Sequence, residues 1–203
     1  MRRMPATEAA AQTRRRIAIE AARLMTESGL RDYRLAKEKA AARLGVFDVA
    51  SLPKNSEIED ALREHQRLFG GDAQARTLTR LREGACEALR FFAAFEPRLV
   101  GAVLDGTADE HSAVCLHLYT DRPIEAIGLL MERAVAFTEG TRRLRLDRDT
   151  ARDFPNLRFD AGDTAIDVTL LPYDLLRQAP LDRVSEKPMR RATLAMVEAL
   201  LEQ

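Results

Sequence analysis

Through the first half of the chain, apolar residues recur at helical spacing. Between Thr7 and Ser28 the positions Ile17, Ala21, Leu24 and Met25 share a face, and Gly29 follows as a stop. A second helix is predicted from about Asp32 to Leu44, with Leu35, Ala36, Ala40 and Leu44 inward and Gly45 closing it. Pro53 falls in a loop. Ser56-Glu57-Ile58-Glu59 has the form of a capping box, with Ser56 as N-cap and Glu59 reaching back. The helix it opens ends at Gly70-Gly71. Asp72 is the expected cap of a fourth helix through Leu78, Leu81, Ala85, Leu89 and Phe92. That helix stops near Pro97, because the residue before a proline is driven out of the helical region.

After Pro97 the period shortens. Leu99 to Leu104 and Ser112 to Tyr119 read as buried strands, dense in Val and Leu. Pro123, at a first helical position, opens a helix through Ile127, Leu130 and Val135. Arg142 to Leu146 reads as an exposed strand. Leu157-Arg158-Phe159 and Ala165 to Leu171 read as a hairpin about Ala161-Gly162-Asp163. A closing helix spans roughly Met189 to Leu201. The expected fold class is α+β: a helical N-terminal region over residues 1–95, then an α+β domain with a mixed sheet over 96–203.

Composition narrows the function classes. Of 203 residues, 46% are hydrophobic and 32% charged, which is enough apolar material for a core and argues against wholesale disorder. No apolar run approaches the roughly 20 residues of a membrane span, and the basic N-terminus has no signal-peptide stretch behind it. Cys86 and Cys115 form neither a disulfide framework nor a metal-type spacing. The expected compartment is the cytoplasm, with no membrane partner. The absence of tryptophan, with three tyrosines, argues against an aromatic nucleic-acid platform.

Net charge is zero but unevenly spread: +6 over residues 1–45, −1 over 46–95 and −5 over 96–203. The arginines Arg2, Arg3, Arg14, Arg15, Arg16 and Arg23 read first as a solvated or internally docked helix face rather than a phosphate-backbone contact.

One segment carries sharper chemistry. Gly101-Ala102-Val103-Leu104-Asp105-Gly106-Thr107-Ala108-Asp109-Glu110-His111-Ser112-Ala113-Val114-Cys115-Leu116 resembles the signature of the nucleotidyltransferase-fold superfamily, the DNA polymerase β-like or minimal nucleotidyltransferases. That signature typically reads G-S-R-A-R-G-T-A-R-P-D-S-D-I-D-L. Gly101, Gly106-Thr107-Ala108, Ser112 and Leu116 match without a gap, and Asp167 in Ala165-Ile166-Asp167-Val168 fits the third carboxylate on a later strand. The helical first half also has the look of a proteobacterial family, which brings no further chemistry.

The resemblance implies a glycine turn whose backbone approaches a triphosphate, with Gly101, Ala102, Gly106, Thr107 and Ser112 as nucleotide-binding positions. It also implies carboxylates at i and i+2 of one strand which, with a third, hold two Mg2+ ions. This chain departs from the pattern at those ligands. Ala113 has no ligand atom, Cys115 is a soft thiol mismatched to Mg2+, and Ala102 replaces the family serine. Asp167 is the one retained family carboxylate. Strand alternation puts Ala113, Cys115, His117 and Tyr119 on one face. A Cys115, His117 and Asp167 metal site, zinc included, is therefore a weaker reading than a half-exposed polar face.

Three functions follow, in this order. The first is a catalytically impaired nucleotidyltransferase-like protein that binds a nucleotide, an RNA or a protein. The second is an active nucleotidyltransferase using Mg2+ with Asp167 and atypical ligands such as Asp109, Glu110 or His117. The third is a DNA-binding regulator. Arg16 to Val46 is similar to the first two helices of a TetR-type repressor, but a proline-containing loop, Phe47 to Asn55, stands where the recognition helix is expected. DNA is thus the least expected partner.

Overall fold

The structure is a computed structural model and describes residues 6–30, 32–69 and 71–202. Arg2, Arg3 and Gly70 lie outside the described residues. The chain divides into two compact units, Met1–Asp72 with Arg183–Ser185, and Ala73–Asp182 with Glu186–Gln203. The division falls at Asp72 rather than at residue 95.

The first unit holds three helices, α1 (Ala6–Ser28), α2 (Tyr33–Arg43) and α3 (Asn55–Phe69). The Asp32 carboxylate caps α2 by accepting from the N–H groups of Arg34 and Leu35 at 2.8 and 3.1 Å. Ile17, Ala21 and Met25 of α1, Ala36 and Ala40 of α2, and Ile58 and Leu62 of α3 form the core. Leu35, expected inward, is exposed, and the small side chains of Ala36, Ala40 and Ala41 make the buried face instead. The capping box of α3 sits two residues earlier than the sequence suggests. Glu57 accepts from the Lys54 N–H at 2.7 Å, while Ser56 and Glu59 already lie inside the helix. Pro53 ends the loop, so Lys54 is the first residue free to serve as N-cap.

All but the first two residues of α4 (Gly71–Phe91) belong to the second unit. Leu81, Ala85, Cys86 and Leu89 of α4 share one apolar cluster with the sheet, which is why this helix belongs here. The strands are β1 (Arg98–Val100), β2 (Val114–Tyr119), β3 (Thr138–Arg145), β4 (Ala151–Ala161) and β5 (Thr164–Leu171). They lie in the order β1-β2-β5-β4-β3; β2 and β5 run parallel and the other neighbours antiparallel. With α5 (Ala102–Asp105), α6 (Pro123–Glu132) and α7 (Leu194–Leu201), the described residues form seven helices and a five-stranded mixed sheet, an α+β fold.

Several elements differ from the periodicity: β3 begins at Thr138 and not Arg142, and β4 spans Ala151–Ala161 and not only Leu157 to Phe159. Val103 and Leu104 lie in α5 and not in a strand, because Gly101 (φ 74, ψ −154) breaks the extended chain in a conformation essentially reserved for glycine. The α6 helix stops short of Val135, where Ala134 takes a positive φ of 53°. The closing helix starts at Leu194 and not Met189.

Leu99, Val114, Leu116, Leu118, Leu157, Ile166, Val168 and Leu170 point to one side of the sheet and are buried with Ala126, Leu130 and Val197. Each such side chain contributes about 1.5–3 kcal/mol on leaving water. This apolar side anchors the sheet; the alternate positions form a second face, polar around Asp167 and Thr169 and apolar where Tyr119, Phe154 and Leu171 cluster. Among the described residues no helix is long and apolar enough to cross a membrane.

Candidate functional site

Strand register assembles the polar face. Parallel pairing sets Cys115 opposite Asp167 and His117 opposite Thr169. The β4–β5 hairpin adds Arg158 beside Asp167 and Asn156 beside Thr169, and β1 adds Val100 beside Cys115 and Arg98 beside His117. Period-two alternation places all of them on one side. A single row thus runs Val100, Cys115, Asp167, Arg158 across four strands, and the turn at Gly101 stands at one end of it.

Asp167 is the centre of this face. It is buried, yet three donors reach its carboxylate. Oδ1 accepts from Asn156 Nδ2 at 2.7 Å. Oδ2 accepts from Arg142 Nη2 at 2.6 Å and from Arg158 Nε at 3.1 Å. The Asn156 amide, itself buried, also donates to the Val168 carbonyl at 2.8 Å, which fixes its orientation. The Arg142 side chain is 29% exposed and that of Arg158 66%. One carboxylate therefore holds two guanidinium groups at the protein surface.

His117 lies in the adjacent row, only 2% exposed, and its Nδ1 has no partner among the described residues. Burial, reinforced by the charges of Arg191 and Arg142, pushes its pKa down to about 3, so the imidazole is neutral at ordinary pH. Arg191 is tied down beside it: Nη1 donates to the Tyr119 hydroxyl at 2.8 Å and to the Leu175 and Leu176 carbonyls, with the guanidinium 5.8 Å from the Tyr119 ring centroid.

The glycine segment is divided. Gly101 lies against β2, where a side-chain carbon would come 3.9 Å from Cys115 Cβ, and Gly106 (φ 79) closes α5 by donating its N–H to the Ala102 carbonyl. Ala102 is half-buried. Thr107 and Ser112 are buried, and each hydrogen-bonds within the loop. The Thr107 N–H donates to the Ala102 carbonyl at 2.9 Å. The Ser112 hydroxyl accepts from the Asp109 N–H at 2.9 Å and donates to Asp109 Oδ1 at 3.1 Å. Of the five positions, Gly101 alone is given a place beside Cys115.

Residues fitted to a metal are not gathered. Among the described residues, no group of three His, Cys, Asp or Glu side chains could hold a metal ion. Cys115 and Asp167 are neighbours, but the Asp167 oxygens already serve two arginines and an amide, and Cys115 Sγ is directed to its own strand at the Ala113 carbonyl, 3.7 Å away. His117 pairs across the strands with Thr169 rather than joining them. Asp109 closes the turn before β2, and Glu110 is exposed beside His111. The Mg2+ ions that the resemblance implies do not fit these residues: one family position lacks a ligand atom, the second is a thiol and the third already accepts from two arginines and an amide.

Sequence reasoning missed Arg142, Arg158 and Asn156. Arg158 was legible, since it and Asp167 stand symmetrically about the turn at Gly162-Asp163 and must face each other in a two-residue hairpin. Arg142 lies on β3, beyond a separate loop, and only the register of β3 on β4 brings it in. No protein-family model, curated protein or solved structure matches the chain.

Proposed function

We propose that this chain is a nucleotidyltransferase-like protein that has lost two-metal catalysis and works by binding a nucleotide. The observation that carries this reading is Asp167, the carboxylate retained from the resemblance, held by Arg142 and Arg158. Three features support it. The turn at Gly101 stands at the end of the row that holds Cys115 and Asp167, the relation in which the superfamily uses its turn and its carboxylates. The positions for metal ligands are Ala113 and Cys115, so no nucleotidyl transfer is routed through them. The charge balance of the face also favours an anion. Two guanidinium groups face one carboxylate, Arg98 is balanced by Glu96, Arg190 by Asp105, and His117 contributes no charge.

The test has two arms. Each labelled NTP with Mg2+ or Mn2+ is expected to give no transfer to protein, nucleic acid or small acceptors. Calorimetry is expected to show NTP binding in the micromolar to millimolar range. A metal-dependent transfer abolished by Asp167→Ala would overturn the loss of catalysis. Absence of heat with all four NTPs would overturn nucleotide binding and leave a protein or RNA partner.

A further inference from the structure

Arg158 meets Asp167 through Nε alone. Among the described residues its two Nη nitrogens have no partner, and the side chain is two-thirds exposed. Arg142 likewise uses one nitrogen, Nη2, on the same carboxylate oxygen. The shared carboxylate therefore steers two guanidinium groups to one spot and leaves donors of both unengaged. The Asn156 amide, anchored on the Val168 carbonyl, holds that carboxylate from the far side. Guanidinium forks fit phosphate oxygens two at a time, and preset orientation reduces the entropy lost on binding. Next to this pair sits His117, nine-tenths or more buried, with an Nδ1 that has no partner among the described residues.

Building on the nucleotide reading, we infer that Arg158 and Arg142 take the place of the metal ions and clamp the phosphate chain of a metal-free nucleotide, so that Mg2+ opposes binding. A phosphate chain brought to two fixed cations needs no divalent ion to neutralise it. Free ATP carries about twice the negative charge of its Mg2+ complex, and with no carboxylate cluster to receive the ion, coordination by Mg2+ only removes attraction to the arginines. The recognised chemistry is a polyphosphate chain, carried by a nucleotide or by inorganic tripolyphosphate.

Titration calorimetry of the full chain with ATP and with tripolyphosphate, each in EDTA and in excess Mg2+, tests this. Binding of both ligands is expected to be at least about fivefold tighter in EDTA, and Arg158→Gln is expected to weaken it about tenfold. Arg143→Gln serves as the control. Arg143 is on the opposite side of β3, paired with Asp153, and its loss is expected to leave binding unchanged. Equal or tighter binding with Mg2+ would overturn the inference while the nucleotide reading stood. An unchanged affinity in Arg158→Gln, or ATP binding without tripolyphosphate binding, would likewise overturn it. Absence of binding by either ligand in either buffer would remove both the inference and the reading beneath it. Circular dichroism of each variant, expected to match the parent, separates lost binding from lost fold.

Discussion

Replacing Asp167 by asparagine keeps the shape of the side chain and removes its charge. Two arginines then face a neutral amide, and whichever way that amide turns, one of its edges meets donors with donors. The loss can be bounded from the contacts. The Arg142 pair, with side chains 29% and 11% exposed, is partly shielded from water and contributes about 1–2 kcal/mol. The Arg158 pair is two-thirds exposed on the arginine side, so screening holds it below about 1 kcal/mol. The charge-assisted bond from buried Asn156 adds about 1 kcal/mol. These terms overlap, and the expected destabilisation is about 2–3 kcal/mol. Urea unfolding followed by far-ultraviolet circular dichroism measures it, since the chain has no tryptophan. Asp160→Asn is the control: Asp160 is an exposed residue of β4, and its loss is expected to change stability by less than about 0.5 kcal/mol. A metal-binding carboxylate left uncompensated in the empty protein would behave oppositely, since neutralising it relieves strain at a functional site. An Asp167→Asn chain as stable as the parent, or more stable, would refute the structural role assigned to the two arginines.

Other outcomes follow from the same structure. His117 is held near pKa 3 in the fold against 6.5 as its ordinary value, so between those values the unfolded chain binds more protons. The stability it contributes is complete above about pH 6.5 and falls as pH drops toward 3, by up to about 1.4 kcal/mol per unit. Thermal melts at pH 7 and pH 4 should therefore differ less in His117→Asn than in the parent, and equal losses in both would contradict this. Gly101→Ala should cost about 1–3 kcal/mol through backbone strain alone, because the nearest atom to a new side-chain carbon is 3.9 Å away; a melt unchanged from the parent would contradict it. Leu89→Ala in α4 should cost about 2–5 kcal/mol and weaken the strand signal with it, as α4 packs on the sheet. Loss of helix signal with intact strands would place α4 elsewhere.

Much of the fold was legible because long periodic segments bury one face. The α1 and α2 helices end at Gly29 and Gly45, where the sequence places them, and β2 and β5 follow their apolar alternation. The strand predicted across Leu99 to Leu104 fails at Gly101, since an apolar run does not reveal a backbone reversal. The domain boundary shifts because the periodicity of α4 shows an apolar face without showing what covers it. At the site, alternation placed Cys115 and His117 on one face and Asp167 on the matching face of its own strand. It could not show that Asp167 is already engaged, because Arg142 arrives from a strand 25 residues away.

In the proposed reading Arg142 and Arg158 occupy Asp167 in place of a metal ion, and binding of Mn2+ tests this most directly. Electron paramagnetic resonance of free Mn2+, titrated with the full chain, is expected to show no saturable site below millimolar concentration, in the parent or in Asp167→Asn. A saturable Mn2+ site in the parent that disappears in Asp167→Asn would contradict the claim and return Asp167 to the role of a metal ligand.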